Sequence, residues 1–172
     1  MKILEANEKR ALRQKNLIDK YGNSLISFTL NIPGRVKDGP IYREIHQEGV
    51  RSIKKALEEK MISIVYMEEE DKFTGREAYI LANAQGDKLK TIMTEIEETH
   101  ELGRVFDIDV FNKWNCQINR KDIGKVLRRC LICEKDAIIC MREKNHTSQE
   151  LIDKIYIIWQ EYRLNLNIDG IK

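Results

Sequence analysis

An α+β fold is predicted for this chain: a ferredoxin-like split βαβ antiparallel sheet with an extra hairpin strand and added N- and C-terminal helices. Three observations carry the prediction. Local signals succeed one another as strand, helix, strand, strand, helix, strand. The two central strands are joined by an acidic loop ending in Thr74-Gly75, a turn signal. Helix-forming segments precede and follow that block.

Glu5 to Tyr21 is rich in good helix formers, with Ala11, Leu12 and Ile18 near one side, and Gly22-Asn23 supplies a stop. Ser24 to Ile32 is dense in apolar residues and reads as a buried strand broken by Pro33-Gly34. From Ile41 to Lys60, Ile41, Ile45, Val50, Ile53 and Leu57 fit one helical face, although Gly49 weakens the middle. Met61 to Met67 and Glu77 to Ala84 read as the hairpin strands. Asp87 to His100 follows as a helix, with Leu89, Ile92, Met93 and Ile96 on one side and Asp87 as its N-cap. Next comes Val105 to Val110, which Trp114-Asn115 turns back into Cys116 to Ile118 as a second hairpin. The remainder is predicted to be helical, ending in a helix that starts at the capping box Thr147 to Glu150 and carries Leu151, Ile155, Ile158 and Tyr162 as a core-facing stripe.

At 172 residues, with 34% charged and 42% hydrophobic residues and two prolines, the chain is expected to form one domain over 1–172 with a real core. Its net charge of +2 gives no global argument for nucleic acid or an anionic membrane, so a basic site must be local. The first residues lack the apolar core of a signal peptide and no run reaches membrane-spanning length, so a cytoplasmic protein is expected. In that compartment the four cysteines are reduced thiols, metal ligands or small buried groups.

Chemistry is concentrated around Asp107-Ile108-Asp109. Strand side chains alternate, so the two carboxylates point the same way about 7 Å apart, while Phe106, Ile108 and Val110 enter a core. Like charges on one face repel, and a hard divalent ion such as Mg²⁺, shared with substrate phosphates, relieves that repulsion. The competing reading is a solvated outer face of an edge strand. Two basic segments supply cations for phosphate. One is the glycine-bounded loop Gly34-Arg35-Val36-Lys37-Asp38-Gly39. The other is the run Arg120, Lys121, Lys125, Arg128 and Arg129.

Cys130-x-x-Cys133, Cys140 and His146 make a complete tetrahedral zinc set. Against zinc, Leu131, Ile132, Ile138 and Ile139 favour a continuous helix, on which Cys130, Cys133, Ala137 and Cys140 would form a buried stripe. His146 lies just before a helix N-terminus near Arg142, where an imidazole can hold an anion or exchange a proton.

Three stretches, in this order and spacing, carry a resemblance. They are Thr29-x-x-x-Pro33-Gly34-x-x-Lys37-Asp38, then His100 through Val110, then Arg129-Cys130-Leu131-Ile132-Cys133 with Cys140, Arg142 and His146. From about Arg10 to the last helix the chain resembles the apo-citrate lyase phosphoribosyl-dephospho-CoA transferase family, the citrate lyase holo-acyl-carrier-protein synthases. The resemblance implies a single transferase domain acting with Mg²⁺ on the citrate lyase acyl carrier protein and triphosphoribosyl-dephospho-CoA, with diphosphate released. It further implies that Asp107 and Asp109 hold the metal and that Gly103 and Arg104 approach and neutralise phosphates. Lys37, Arg129 and Arg142 are implied as diphosphate or nucleotide contacts, with Arg10 and Gln14 joining them from the first helix. No third carboxylate of the kind polymerase-like sites use is evident; Asp122 is the candidate, or two suffice.

Two alternatives compete. One keeps the chemistry but gives it another acceptor, such as the malonate decarboxylase carrier. The other is a non-catalytic, zinc-stabilised module that binds protein or RNA, which the scarcity of aromatics on the central strands disfavours.

Overall fold

The computed structural model describes residues 2–34 and 36–169, so Met1 and the Arg35 of the basic loop lie outside the described residues. Helix α1 (Lys2–Tyr21) leads through Gly22, at φ 67°, into strand β1 (Ser24–Leu30). Helix α2 (Pro40–Glu59), strands β2 (Ile64–Lys72) and β3 (Gly75–Ala82), helix α3 (Gly86–Thr99) and strand β4 (Phe106–Phe111) follow. A short strand β5 (Gln117–Ile118), a 3-10 turn (Arg120–Ile123), and helices α4 (Ala137–Glu143) and α5 (Ser148–Asp169) complete the order. The strands form one antiparallel sheet in the order β2-β3-β1-β4-β5. The first four of those are the split βαβ order, and β5 is the extra hairpin strand, so the α+β fold class is as predicted.

Alternation assigns the two sheet faces. Ile26 and Phe28 of β1, Ala78 and Ile80 of β3, and Phe106, Ile108 and Val110 of β4 point one way, into a core closed by α2 and α3. From α5, Ile155 and Tyr162 reach the same core. The other face is covered over part of its area by α1, whose Leu17 and Ile18 bury Leu25, Tyr79 and Leu81. The expected stripe on α1 is therefore displaced: Leu12 is exposed, and Gln14, Leu17 and Ile18 face the sheet. Gly49, expected to weaken α2, instead permits close packing, since a Cβ there would stand 2.2 Å from the Phe28 ring.

Three further expectations are corrected. Strand β2 begins later and runs through the supposed acidic loop to Lys72, which pairs with Gly75. An edge strand tolerates charge, and here Glu68, Glu70 and Asp71 pair with Arg13, Lys72 and Arg76. The N-cap of α3 is Gln85; Asp87 sits in the first turn, where a carboxylate favours the positive helix end. Most importantly, residues 124–136 are not helical: the chain forms an irregular turn closed by a bridge between Arg129 and Asp136, and only α4 and α5 are regular. No helix among the described residues is long and apolar enough to cross a membrane.

Candidate functional site: an acid pair beside a thiol cluster

Strand β4 alternates buried and half-buried residues along its whole length, which puts Asp107 and Asp109 together on the face away from the main core. Across the ladder, Asp107 pairs with Thr29 and Asp109 with Ser27, and Ser27 in turn pairs with Tyr79. Polar side chains thus run in a row over three strands, with α1 at their border. Gln14 donates to the Ser27 hydroxyl at 2.9 Å, and Arg10 meets Glu77 at 2.6 Å. Glu77 is buried and also accepts from the Tyr79 hydroxyl at 2.5 Å; burial, reinforced by this bond to a carboxylate, raises the phenol's pKa. The structure therefore brings Arg10 and Gln14 to the face that carries the acid pair.

The edge of β4 is closed in an unusual way at the residue between the two acids. The Ile108 N–H donates to Glu97 Oε1 at 3.0 Å, and its carbonyl accepts from Lys90 Nζ at 2.8 Å, so two buried charged groups of α3 replace a neighbouring strand. Glu97 also binds Arg120 and Arg128, each at 2.6 Å. From there Arg128 donates to the Phe106 carbonyl at 2.6 Å and brings a second guanidinium nitrogen to 3.8 Å from Asp107. The carboxyl of Asp109 is pushed up by burial and by the neighbouring Asp107, opposed by Lys90 and by a 2.8 Å hydrogen bond from Gln117. Asp107 keeps 49% of its side chain exposed. Asp107 is thus half-exposed with Asp109 more enclosed beside it, and ionised carboxyls here offer acceptors only.

Other sequence-marked residues fall in several places. Arg104 is exposed and donates to the carbonyls of Arg129, at 3.1 Å, and Cys130. Arg129 is paired with Glu134 at 2.8 Å, and Arg142 is exposed on α4. A cavity of about 300 Å³ opens between Asn31, Arg104, Arg128, Arg129 and the thiol cluster. A larger one, about 770 Å³, lies over Arg10, Arg13, Glu77 and Tyr79. Lys37 is directed elsewhere: its ammonium donates to the Ile32 carbonyl, burial lowers its pKa, and its backbone packs against Gly75 of the β2–β3 turn. Gly103 is buried where a Cβ would stand 2.6 Å from the carbonyls of Ile96 and Glu97, so close packing on the end of α3 accounts for the glycine. Asp122 caps its own 3-10 turn through the Asn119 N–H at 2.7 Å. Much of the basic run is neutralised as well, Arg120 and Lys125 both reaching Glu98.

The expectation of a continuous helix through the cysteines is overturned. Cys130 and Cys133 lie on the irregular turn, Cys140 on α4 and His146 in the loop before α5. One ligand atom from each lies within 4.8 Å of all the others. Burial works against ionisation of Cys130, but N–H groups of Cys133 and Ile132 and the neighbouring thiols bring it down to about 7. The set is chemically compatible with zinc.

Sequence reasoning passed over Glu97, Lys90, Glu77, Tyr79 and Gln117. Alternation along β3 could have placed Glu77 and Tyr79 on the polar face. Glu97 and Lys90 lie inside an amphipathic helix and gave no signal.

Fold and site together define the class: an α+β protein with carboxylates and arginines gathered on the open face of its sheet and a thiol–imidazole cluster beside them. Over residues 1–162 the chain matches the family described as apo-citrate lyase phosphoribosyl-dephospho-CoA transferase. It belongs to that family, and it is a transferase. It is 32% identical over 164 residues to a "Probable apo-citrate lyase phosphoribosyl-dephospho-CoA transferase" of Vibrio cholerae serotype O1, covering 93% of this chain and 90% of that protein. It is 30% identical over 153 residues to an "Apo-citrate lyase phosphoribosyl-dephospho-CoA transferase" of Escherichia coli O1:K1, covering 89% and 84%. "Protein CitXG" of Haemophilus influenzae is 32% identical over 160 residues, which are 93% of this chain and 34% of the Haemophilus protein. Membership of a transferase family sets aside the non-catalytic binding module.

Proposed function

We propose that the chain transfers the phosphoribosyl-dephospho-CoA group from 2'-(5-triphosphoribosyl)-3'-dephospho-CoA to a serine of the apo-citrate lyase acyl carrier protein, releasing diphosphate. The observation that carries the reading is the pair Asp107 and Asp109 on one sheet face, with Asp107 half-exposed and the Arg128 guanidinium 3.8 Å from it. Membership of the family supports the donor and the acceptor. In the reaction the serine oxygen bonds to the phosphorus nearest the ribose and gives up its proton to water, the bond to the bridging oxygen breaks in line, and diphosphate departs with the electron pair.

The residues fit Mg²⁺, since Asp107 and Asp109 share one face of β4 and offer it hard oxygen ligands, and a cation there would oppose the burial and the Asp107 charge that push the Asp109 carboxyl up. Held by these carboxylates, such an ion would neutralise charge on the phosphates and polarise the incoming hydroxyl. Arg128 orients the donor phosphates and, held by Glu97, does so without reorganising. Arg104 and Arg129, facing the adjoining cavity, and Arg142 on α4 receive the diphosphate or nucleotide end. Arg10 and Gln14 border the opposite side of the polar row.

The test incubates purified protein with apo-carrier, triphosphoribosyl-dephospho-CoA and Mg²⁺ and weighs the carrier by mass spectrometry. The expected result is a carrier heavier by one prosthetic group, with the citrate lyase carrier labelled in preference to that of malonate decarboxylase. Asp107→Ala and Asp109→Ala should fold and lose at least about 100-fold in rate, the size of effect expected from several kcal/mol of lost transition-state stabilisation. Full activity in both would reject the acid pair.

A further inference from the structure

We infer that Cys130, Cys133, Cys140 and His146 bind one zinc ion, which fastens residues 124–147 beside the acid pair. The distances favour this over the other fates of clustered thiols. Cys130 and Cys140 sulfurs are 3.3 Å apart and those of Cys133 and Cys140 3.8 Å. Zinc–sulfur bonds of about 2.3 Å in a tetrahedron set sulfurs about 3.8 Å apart. A disulfide needs about 2.05 Å. Three thiolates and an imidazole complete the coordination of a structural zinc site and are too soft a set for Mg²⁺ or Ca²⁺.

Two independent observations point to an ion. First, the Nε2 of His146 is buried with no hydrogen-bond partner, a cost that protein folds usually avoid unless another group satisfies the nitrogen. Second, the segment has no apolar core of its own. Cys130 and Cys140 are its buried residues, whereas Val126, Ile132, Ile138, Ile139 and Met141 are exposed. Apart from Leu131, which packs partly buried against the main core, the groups placed to hold the segment together are thus the proposed ligands themselves. The local chain is also shaped for them. The Cys130 N–H donates to the Lys135 carbonyl at 2.7 Å, closing the turn that presents Cys130 and Cys133 side by side. The Ile132 N–H points at the Cys130 sulfur at 3.5 Å, as outer donors to a metal-bound thiolate do.

The consequence reaches the transferase site through the backbone. Arg104 donates to the carbonyls of Arg129 and Cys130, and Arg128, two residues before Cys130, stands 3.8 Å from Asp107. Fastening the turn therefore fixes the arginines on one wall of the 300 Å³ cavity.

The test is metal analysis of the full chain purified without added metal. About one zinc per chain is expected, in line with a four-ligand site. Cobalt reconstitution should give the strong visible ligand-field bands and near-ultraviolet charge-transfer band of tetrahedral thiolate coordination. Cys133→Ser, at a partly exposed ligand, and His146→Ala should lose both signals, while Cys116→Ser, at an exposed cysteine outside the cluster, should keep them. Stripping the metal should speed proteolysis within 124–147 by about tenfold or more, the signature of local opening. Folded wild-type protein without zinc and without the cobalt spectrum would overturn the assignment. So would undiminished zinc in both ligand variants. None of these readouts passes through transferase activity.

Discussion

The Phe28 ring shows how little free volume the fold leaves beneath its site. It stacks on His46 at 4.8 Å and meets Phe106 edge-on at 5.5 Å, and α2 approaches it closely enough that only a glycine fits at position 49. An added Cβ would lie 2.2 Å and 2.7 Å from two Phe28 carbons and 3.2 Å from Phe106, the residue next to Asp107. Two effects of opposite sign then compete in Gly49→Ala. Helix propensity favours alanine by about 1 kcal/mol. Overpacking a closed core costs about 1–3 kcal/mol. Because the obstructing ring is held on two sides, overpacking should win. The expected outcome is a lower urea midpoint at unchanged m-value, and a midpoint equal to or above that of wild type would show that the ring can yield. The same glycine marks what one residue type can say in a sequence. It read as a weak point of a helix because nothing local announced the phenylalanine, 21 positions earlier in the chain, that requires it.

Strand β4 owes its position to α3 as much as to β1, since Glu97 and Lys90 satisfy the Ile108 backbone where no strand does. Glu97 is the common partner of Ile108, Arg120 and Arg128, and it is 5% exposed. Removing one member of a buried charge network leaves the others uncompensated, at about 3–5 kcal/mol. Glu97→Ala should accordingly lower stability by an amount of that order and speed hydrogen exchange at the Ile108 amide. Glu97→Gln, which keeps an acceptor for that amide, should lie between it and wild type; identical stability of all three proteins would remove Glu97 from its structural role. The element scale also shows where legibility ends. The alternation of Phe106 to Phe111 and the apolar density of β1 announced their strands and the face that Asp107 and Asp109 share. The order of elements then implied the strand order. By contrast, Leu131, Ile132, Ile138 and Ile139 imitate one continuous helix, whereas Ile138 and Ile139 lie on the short α4, Leu131 and Ile132 fall on the irregular turn, and the last three are exposed. Ion pairs spanning more than 20 positions, such as Arg120 with Glu97 and Glu98, leave no periodic trace, so the basic run looked freer than it is.

For the molecule as a whole, the response to acid should be set in part by His46, a core imidazole with no solvent exposure and no hydrogen-bond partner on either nitrogen. Burial, reinforced by Arg76 and opposed by Asp71, pushes its pKa down to about 4 from 6.5. Lys37 and Asp38 line the same small cavity, and Glu69 approaches Nδ1 at 3.8 Å. The unfolded chain therefore takes up a proton at this residue at a pH where the native state does not. Its stabilising contribution is complete above pH 6.5 and is lost as the pH falls from there towards 4. A shift of that size corresponds to roughly 3 kcal/mol, a large part of the stability of an ordinary domain. Paired carboxylates behave differently: Asp38 and Glu68, lowered below their usual range with Arg43 and Arg13 beside them, keep their contribution until the pH drops through the carboxylate range. The two windows are separable. Urea midpoints measured between pH 7 and pH 5 should fall in wild type and hold nearly level in His46→Phe, which keeps an aromatic ring beside Phe28 but cannot titrate. Parallel curves for the two proteins would mean that His46 is not the group that admits acid to the core, and the loss would then have to be traced to the carboxylates alone.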